Sequence, residues 1–167
     1  MATGPWQPQI KTILDEGSIE VGAPGASERR PLHRAAGGNH KEICKYLIEK
    51  GALVDQTDKS GRTALHWAAI SGHREAAEFL LSIGADVIAI TTSKMTPLHG
   101  ACEGGRLEIV RLLLEKAGDK KDAACNALDD DGKTPCALAI GGKHKAIIKL
   151  LKELGDPNAA SVACVVS

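Results

Sequence analysis

Aromatic side chains are nearly absent: the 167 residues hold two Trp, one Tyr and one Phe. So few rings exclude a base-stacking platform. They also argue against an all-β core, where aromatic and β-branched residues dominate. Net charge is missing too, because 21 Lys+Arg offset 21 Asp+Glu. A dedicated nucleic-acid binder needs net or clustered positive charge to displace counterions, so no nucleic-acid partner is expected. No apolar run approaches the roughly 20 residues that span a bilayer. Residues 1–8 carry neither a basic stretch nor an apolar one, and the sequence has no Asn-x-Ser/Thr acceptor. The five Cys are odd in number and lack paired spacing. Reduced thiols and a cytoplasmic, non-secreted protein are the expectation.

What the chain does have is a repeat. Arg30-Pro31-Leu32-His33, Thr63-Ala64-Leu65-His66 and Thr96-Pro97-Leu98-His99 recur at a step of 33, and Thr134-Pro135-Cys136-Ala137 follows 38 residues after the third. Leu47, Leu80, Leu113 and Leu151 keep the same steps, and Leu14 stands 33 before Leu47. One period running through two segments of each unit marks a repeat architecture.

Each unit reads as two short helices and a turn. Thr63 or Thr96 suits an N-cap, and Pro97 or Pro135 suits the first helical position. The first helix is small-sided, with Ala35-Ala36, Ala68-Ala69 and Ala101-Cys102. A glycine break follows at Gly37-Gly38, Gly72, Gly104-Gly105 and Gly141-Gly142. The second helix carries apolar residues at helical spacing: Ile43/Tyr46/Leu47, Ala76/Phe79/Leu80, Ile109/Leu112/Leu113 and Ile147/Leu150/Leu151. It is expected to end near Gly51, Gly84 or Gly118. Asp58-Lys59-Ser60-Gly61 and Asp129-Asp130-Asp131-Gly132 are turn chemistry.

The Thr-Pro-Leu-His-x-Ala pattern, the period of 33 and Gly84-Ala85-Asp86-Val87 together resemble the ankyrin-repeat family. The resemblance implies an all-α solenoid of stacked helix–turn–helix units with short hairpin-like turns. The expected layout is an N-terminal tail (1–8) and a repeat domain (9–154). Within it lie a partial first repeat (9–27) and full repeats at about 28–57, 58–90, 91–128 and 129–154. A flexible tail (155–167) follows. Four departures stand out: Arg30 in place of a capping Thr, Thr91-Thr92-Ser93-Lys94 in place of an Asp-x-x-Gly turn, Cys136-Ala137 in place of Leu-His, and Asp119 to Ala123 lengthening a loop. Lys143, Lys145, Lys149, Lys152 and Glu153 are the expected polar cap of the stack.

Motifs for chemistry dissolve in this register. Gly132-Lys133-Thr134 resembles the end of a phosphate loop, but Ala127 stands where the first Gly belongs. Asp129-Asp130-Asp131-Gly132 has the look of a calcium loop, but Ala127 and Leu138 replace its first and last ligands. His33, His66 and His99 sit in separate repeats, and the resemblance gives them loop hydrogen bonds and no metal. Cys44, Cys102, Cys125 and Cys136 have no Cys-x-x-Cys spacing, and Cys102 reads as a buried thiol. No catalytic residue, cofactor or metal ligand is expected, and the protein is read as a non-enzyme. Asn126 lies where the family can carry a hydroxylated Asn.

Cys164-Val165-Val166-Ser167 matches a C-a-a-X prenylation pattern of the farnesyl type. A single lipid gives only marginal binding, so Cys164 predicts reversible attachment to a cytosolic membrane face. By the resemblance, a partner protein binds the turn tips and the exposed side of the first helices: Arg29, Arg34, Lys59, Ser60, Arg62, Trp67, Ile70, Met95, Glu103, Asp131 and Lys133. Trp67 and Arg34 have the make-up of a hot spot. The expected function is a non-catalytic protein–protein interaction module, an adaptor or scaffold tethered through farnesylated Cys164, and monomeric. The alternative is a soluble regulator, an inhibitor or assembly chaperone, with an unmodified tail.

Overall fold

The computed structural model describes residues 21–154, 156 and 159. Residues 9–20 of the expected partial repeat (9–27) and the C-a-a-X residues lie outside that range. The described residues form nine α-helices and no strand: α1 Pro31–Gly37, α2 Lys41–Glu49, α3 Ala64–Ser71, α4 Arg74–Ser82, α5 Pro97–Glu103, α6 Leu107–Lys116, α7 Lys121–Asn126, α8 Pro135–Gly141 and α9 Lys145–Glu153. Among them no helix is long and apolar enough to cross a membrane.

The first helices α1, α3, α5 and α8 stack in one row, and α2, α4, α6 and α9 in a second. Close approach in the first row follows from small residues: Ala36, Ala68, Ala69, Ala101, Cys102 and Ala139 are all fully buried. The second row supplies most of the large side chains, with Leu47, Leu80, Ile109, Leu112, Leu113, Ile147 and Leu151 almost wholly enclosed, and Leu65 and Leu98 of the first row join them. Ile43 and Phe79 are only half-buried against this core. Helices this short are marginal alone, so packing between units stabilises them.

Thr63 and Thr96 cap α3 and α5 as expected, each hydroxyl accepting from the N–H of the following His. Thr134 does the same for Ala137 at 3.2 Å. Arg30 offers no side-chain cap, yet the Arg30 N–H still donates to His33 Nδ1 at 2.9 Å, which keeps half of the motif.

The glycine breaks work differently from the simple expectation. The left-handed residue between the paired helices is Asn39, Gly72, Gly105 and Lys143, with φ of 59°, 83°, 68° and 56°. In the first and last units the two glycines precede that position instead of filling it. Asn39 uses the place to cap the neighbour, its Oδ1 accepting from Ala76 N at 3.2 Å.

The residues read as a lengthened loop are helical. Gly118–Lys120 make a 3₁₀ turn that runs into α7, with Ala124 and Cys125 buried. At the far end Asp156 and Ala159 are also buried, and Asp156 N donates to Leu151 O. Lys143, Lys145 and Lys149 are exposed on the last unit, and Lys152 is half-buried.

Leu80 is 0% exposed. Its replacement by Ala is expected to cost about 2–5 kcal/mol in urea or guanidinium unfolding. A loss below about 0.5 kcal/mol would remove it from the core.

Candidate functional site

Three hairpin turns project beside the first helices. In each, the first N–H bonds the fifth carbonyl: Asp58 to Arg62, Thr91 to Met95 and Asp129 to Lys133, at 2.9–3.0 Å. Asp58 Oδ1 and Asp129 Oδ1 brace their turns by accepting from Arg62 N and Lys133 N. Thr91 Oγ1 does the same work for Met95 N at 3.1 Å, so the departure at Thr91 leaves the turn intact. Gly61, Lys94 and Gly132 share the left-handed corner. The turns are tied sideways, Lys59 N to Ser27 O, Thr92 N to Ser60 O and Asp130 N to Ser93 O. A Cβ on Gly61 would lie 2.8 Å from Thr92 N, so the ladder requires glycine there.

Histidines lock turns to helices. His66 Nδ1 accepts from Thr63 N at 3.2 Å, which leaves its Nε2–H to donate to Met95 O of the next turn at 3.0 Å. His99 repeats this with Thr96 N and Lys133 O, and His33 with Arg30 N and Gln56 O. The neutral Nε2–H tautomer satisfies both bonds. Burial lowers the pKa of all three rings, that of His66 to about 4. The sequence did not mark a second set of latches, in which Arg106 Nε donates to Ile70 O and His144 Nε2 to Glu103 O.

Trp67 is half-buried on α3, and its β-carbon and ring edge pack near Gly37 of α1. Its indole Nε1–H donates to Asp58 Oδ2 at 3.0 Å. The Arg29 guanidinium lies 4.1 Å and that of Arg62 5.3 Å from the ring centroid, within cation–π range. Burial pushes the Asp58 carboxyl up, but the N–H bonds from Arg62, Ser60 and Trp67 outweigh it, so its pKa lies below the ordinary carboxylate value. Thus the structure joins Arg29, Arg62 and Trp67, and adds Asp58, which sequence reasoning took only as a turn residue.

Beside this cluster, Arg62, Ile70, Met95 and Glu103 line a groove of about 150 Å³ between α3 and α5. Arg34 and Lys59 are exposed. Asp131 and Lys133 stand at the last turn, paired with each other at 3.2 Å, away from Trp67. Asn126 is exposed and its Nδ2 donates to Asp122 O. The thiols of Cys44, Cys102, Cys125 and Cys136 are buried, and burial raises their pKa, to about 12 for Cys44 and about 11 for Cys125 and Cys136. Among the described residues no His, Cys, Asp or Glu group is arranged to hold a metal.

Because His66 is held neutral, its contribution to stability is complete above pH 6.5, its ordinary value. It is lost as pH falls toward about 4, where the unfolded chain takes up the proton first. The loss is on the order of 3 kcal/mol. His66→Gln is expected to be less stable at pH 7 but to show a flatter unfolding profile between pH 7 and 4. Parallel profiles for the two proteins would refute a neutral buried ring.

The family model for ankyrin repeats (3 copies) matches residues 8–91 and 89–161. Alpha-latrocrustotoxin-Lt1a of Latrodectus tredecimguttatus is 37% identical over 46 residues, 28% of this chain and 3% of the toxin. The chain therefore spans only a small part of that relative. Paired helices stacked in two rows, turns laddered at their tips and Thr–His locks between units are the structural side of the same match, and the chain belongs to the ankyrin-repeat family.

Proposed function

We propose that this chain is a non-catalytic docking module, an adaptor or scaffold, that receives another protein on the side formed by the turn tips and the first helices. The observation that carries the proposal is Trp67. A half-exposed indole held by Asp58 and flanked by Arg29 and Arg62 beside an open groove is the make-up of an interface hot spot, and such residues contribute about 2 kcal/mol or more on truncation. Shared with neighbours on both sides, the residue is also preorganised, so little side-chain freedom is lost on docking. Ankyrin repeats support this class of function.

The second part of the proposal is the tether. Farnesylation of Cys164 on its thiol, within Cys164-Val165-Val166-Ser167, attaches the module reversibly to the cytosolic face of a membrane. Exposed Lys145 and Lys149 on the outer side of α9 support contact with anionic lipid, at about 1 kcal/mol each when near the leaflet.

Trp67→Ala is expected to retain the helical circular dichroism and the cooperative unfolding of the parent, while affinity capture of the partner weakens at least tenfold. The Arg34→Ala/Trp67→Ala double variant should weaken it further. Undiminished capture by the folded variants would remove this face from the interface.

Metabolic labelling with a farnesyl analogue tests the tether separately. Incorporation into the full chain that disappears in Cys164→Ser is expected. Absence of labelling favours the soluble regulator with an unmodified tail, and labelling that survives Cys164→Ser places the lipid elsewhere.

A further inference from the structure

We propose that the docking side is chemically polarised and that its N-terminal end takes a short acidic segment of a partner protein. This rests on the docking reading above and specifies the partner's chemistry. Residues 26–34 and 57–62 hold Arg29, Arg30, Arg34, Lys59 and Arg62 against two carboxylates, Glu28 and Asp58. Asp58 is buried, and its oxygens are committed to Ser60 N, Arg62 N and Trp67 Nε1. The ion pairs among the described residues lie elsewhere, as in Arg74–Glu108 and Lys120–Asp86, and none involves these arginines.

Among the described residues none of these arginines is paired with a carboxylate. Arg29 and Arg62 lie over the Trp67 ring, Arg30 Nη1 donates to the carbonyls of Glu28 and Thr57, and Arg34 is exposed beside them. The Nε atoms of Arg29 and Arg30 are buried with no acceptor among the described residues. Positioned guanidinium groups lacking a carboxylate match planar, bidentate acceptors, and carboxylates meet that geometry.

The opposite end decides which anion fits. Residues 129–133 carry Asp129, Asp130 and Asp131 against Lys133, and Glu103 lines the groove between. Lys94 is spent on Asp130 at 3.1 Å, and Lys133 on Asp131. A uniform polyanion laid along the turn tips, such as a nucleic acid, would find both lysines here already paired and would face Asp129 and Glu103, which have no cation partner among the described residues. A peptide can confine its negative charge to the first two repeats and run neutral past Ile70 and Met95. Charge complementarity therefore selects an acidic protein segment.

The test uses the full chain with Trp6→Phe, so that Trp67 fluorescence reports binding. Four probes are titrated: a decapeptide alternating Glu and Ser, its Gln counterpart, a thymidine ten-mer, and phosphatidylserine–phosphatidylcholine vesicles. The Glu peptide is expected to bind, with affinity falling about tenfold or more from 50 to 300 mM salt, and the Gln peptide to bind at least tenfold more weakly. Arg29→Gln/Arg34→Gln/Arg62→Gln should lose at least tenfold for the Glu peptide, and Arg34→Gln alone, at an exposed position, a smaller part. Equal binding of Glu and Gln peptides, no binding of the Glu peptide, undiminished binding by the folded triple variant, tighter binding of the ten-mer, or tighter vesicle binding that the triple arginine variant loses overturns the assignment. A neutral or basic peptide from a random library that depends on Trp67 would overturn the acidic chemistry yet leave the docking surface standing. If Trp67→Ala also leaves partner capture unchanged, both fall together.

Discussion

A helix of six to ten residues cannot persist alone in water, and a pair of them cannot cover its own apolar side. That constraint governs this molecule. Every unit must be closed by the next, so the side chains facing across the row are dictated by how near two backbones can come. Small residues such as Ala36, Ala68, Ala69, Ala101 and Cys102 line the first row beside Leu32, Leu65 and Leu98, and leucine and isoleucine dominate the second. The rod then has two kinds of surface: one consumed by its neighbours, and one along the turns and the outer side of the first helices that no repeat can use.

Stacking by apolar contact alone would let the units slide. Polar bonds between units set the register. His66 and His99 each take an N–H from their own repeat and give one to the following turn, and the turns join sideways through Lys59, Thr92 and Asp130. Arg106 and His144 reach backward to Ile70 O and Glu103 O across left-handed Gly72 and Gly105, where a Cβ would crowd their side chains. The rings of His66 and His99 are buried between units, and that burial lowers their pKa and keeps them neutral.

Much of this was legible in the residues because period and capping chemistry act locally. Thr63 followed by His66 specifies both a helix start and a lock, and Leu47, Leu80 and Leu113 specify a buried row. What escaped was decided by the neighbour. Thr91 substitutes for Asp58 because the lateral ladder demands the turn and a hydroxyl can brace it. Lys143 takes a left-handed conformation that its own chemistry disfavours because the following helix must start there. The stretch Asp119 to Ala123 coils because Ala124 and Cys125 find a buried place against the stack. The role of Asp58 beside Trp67 could not be read, because the contact spans nine positions and exists only once the turn folds onto α3.

The same reasoning bears on why a surface aromatic is tolerated here. An exposed indole is a liability in a protein with so few rings, unless its apolar body is used. Trp67 spends one edge on Gly37, its N–H on Asp58 and its π-face on Arg29 and Arg62. Among the described residues neither arginine is paired with an acid, and each guanidinium stands over the ring with its charge retained. The site is thus assembled by residues from two repeats and the turn between them. Its arrangement depends on the stack being intact, so any loss of register between the first two units would dissolve the surface before it unfolded the rod. In a repeat protein whose interior is largely interchangeable from unit to unit, the proposed docking surface is built at this one junction.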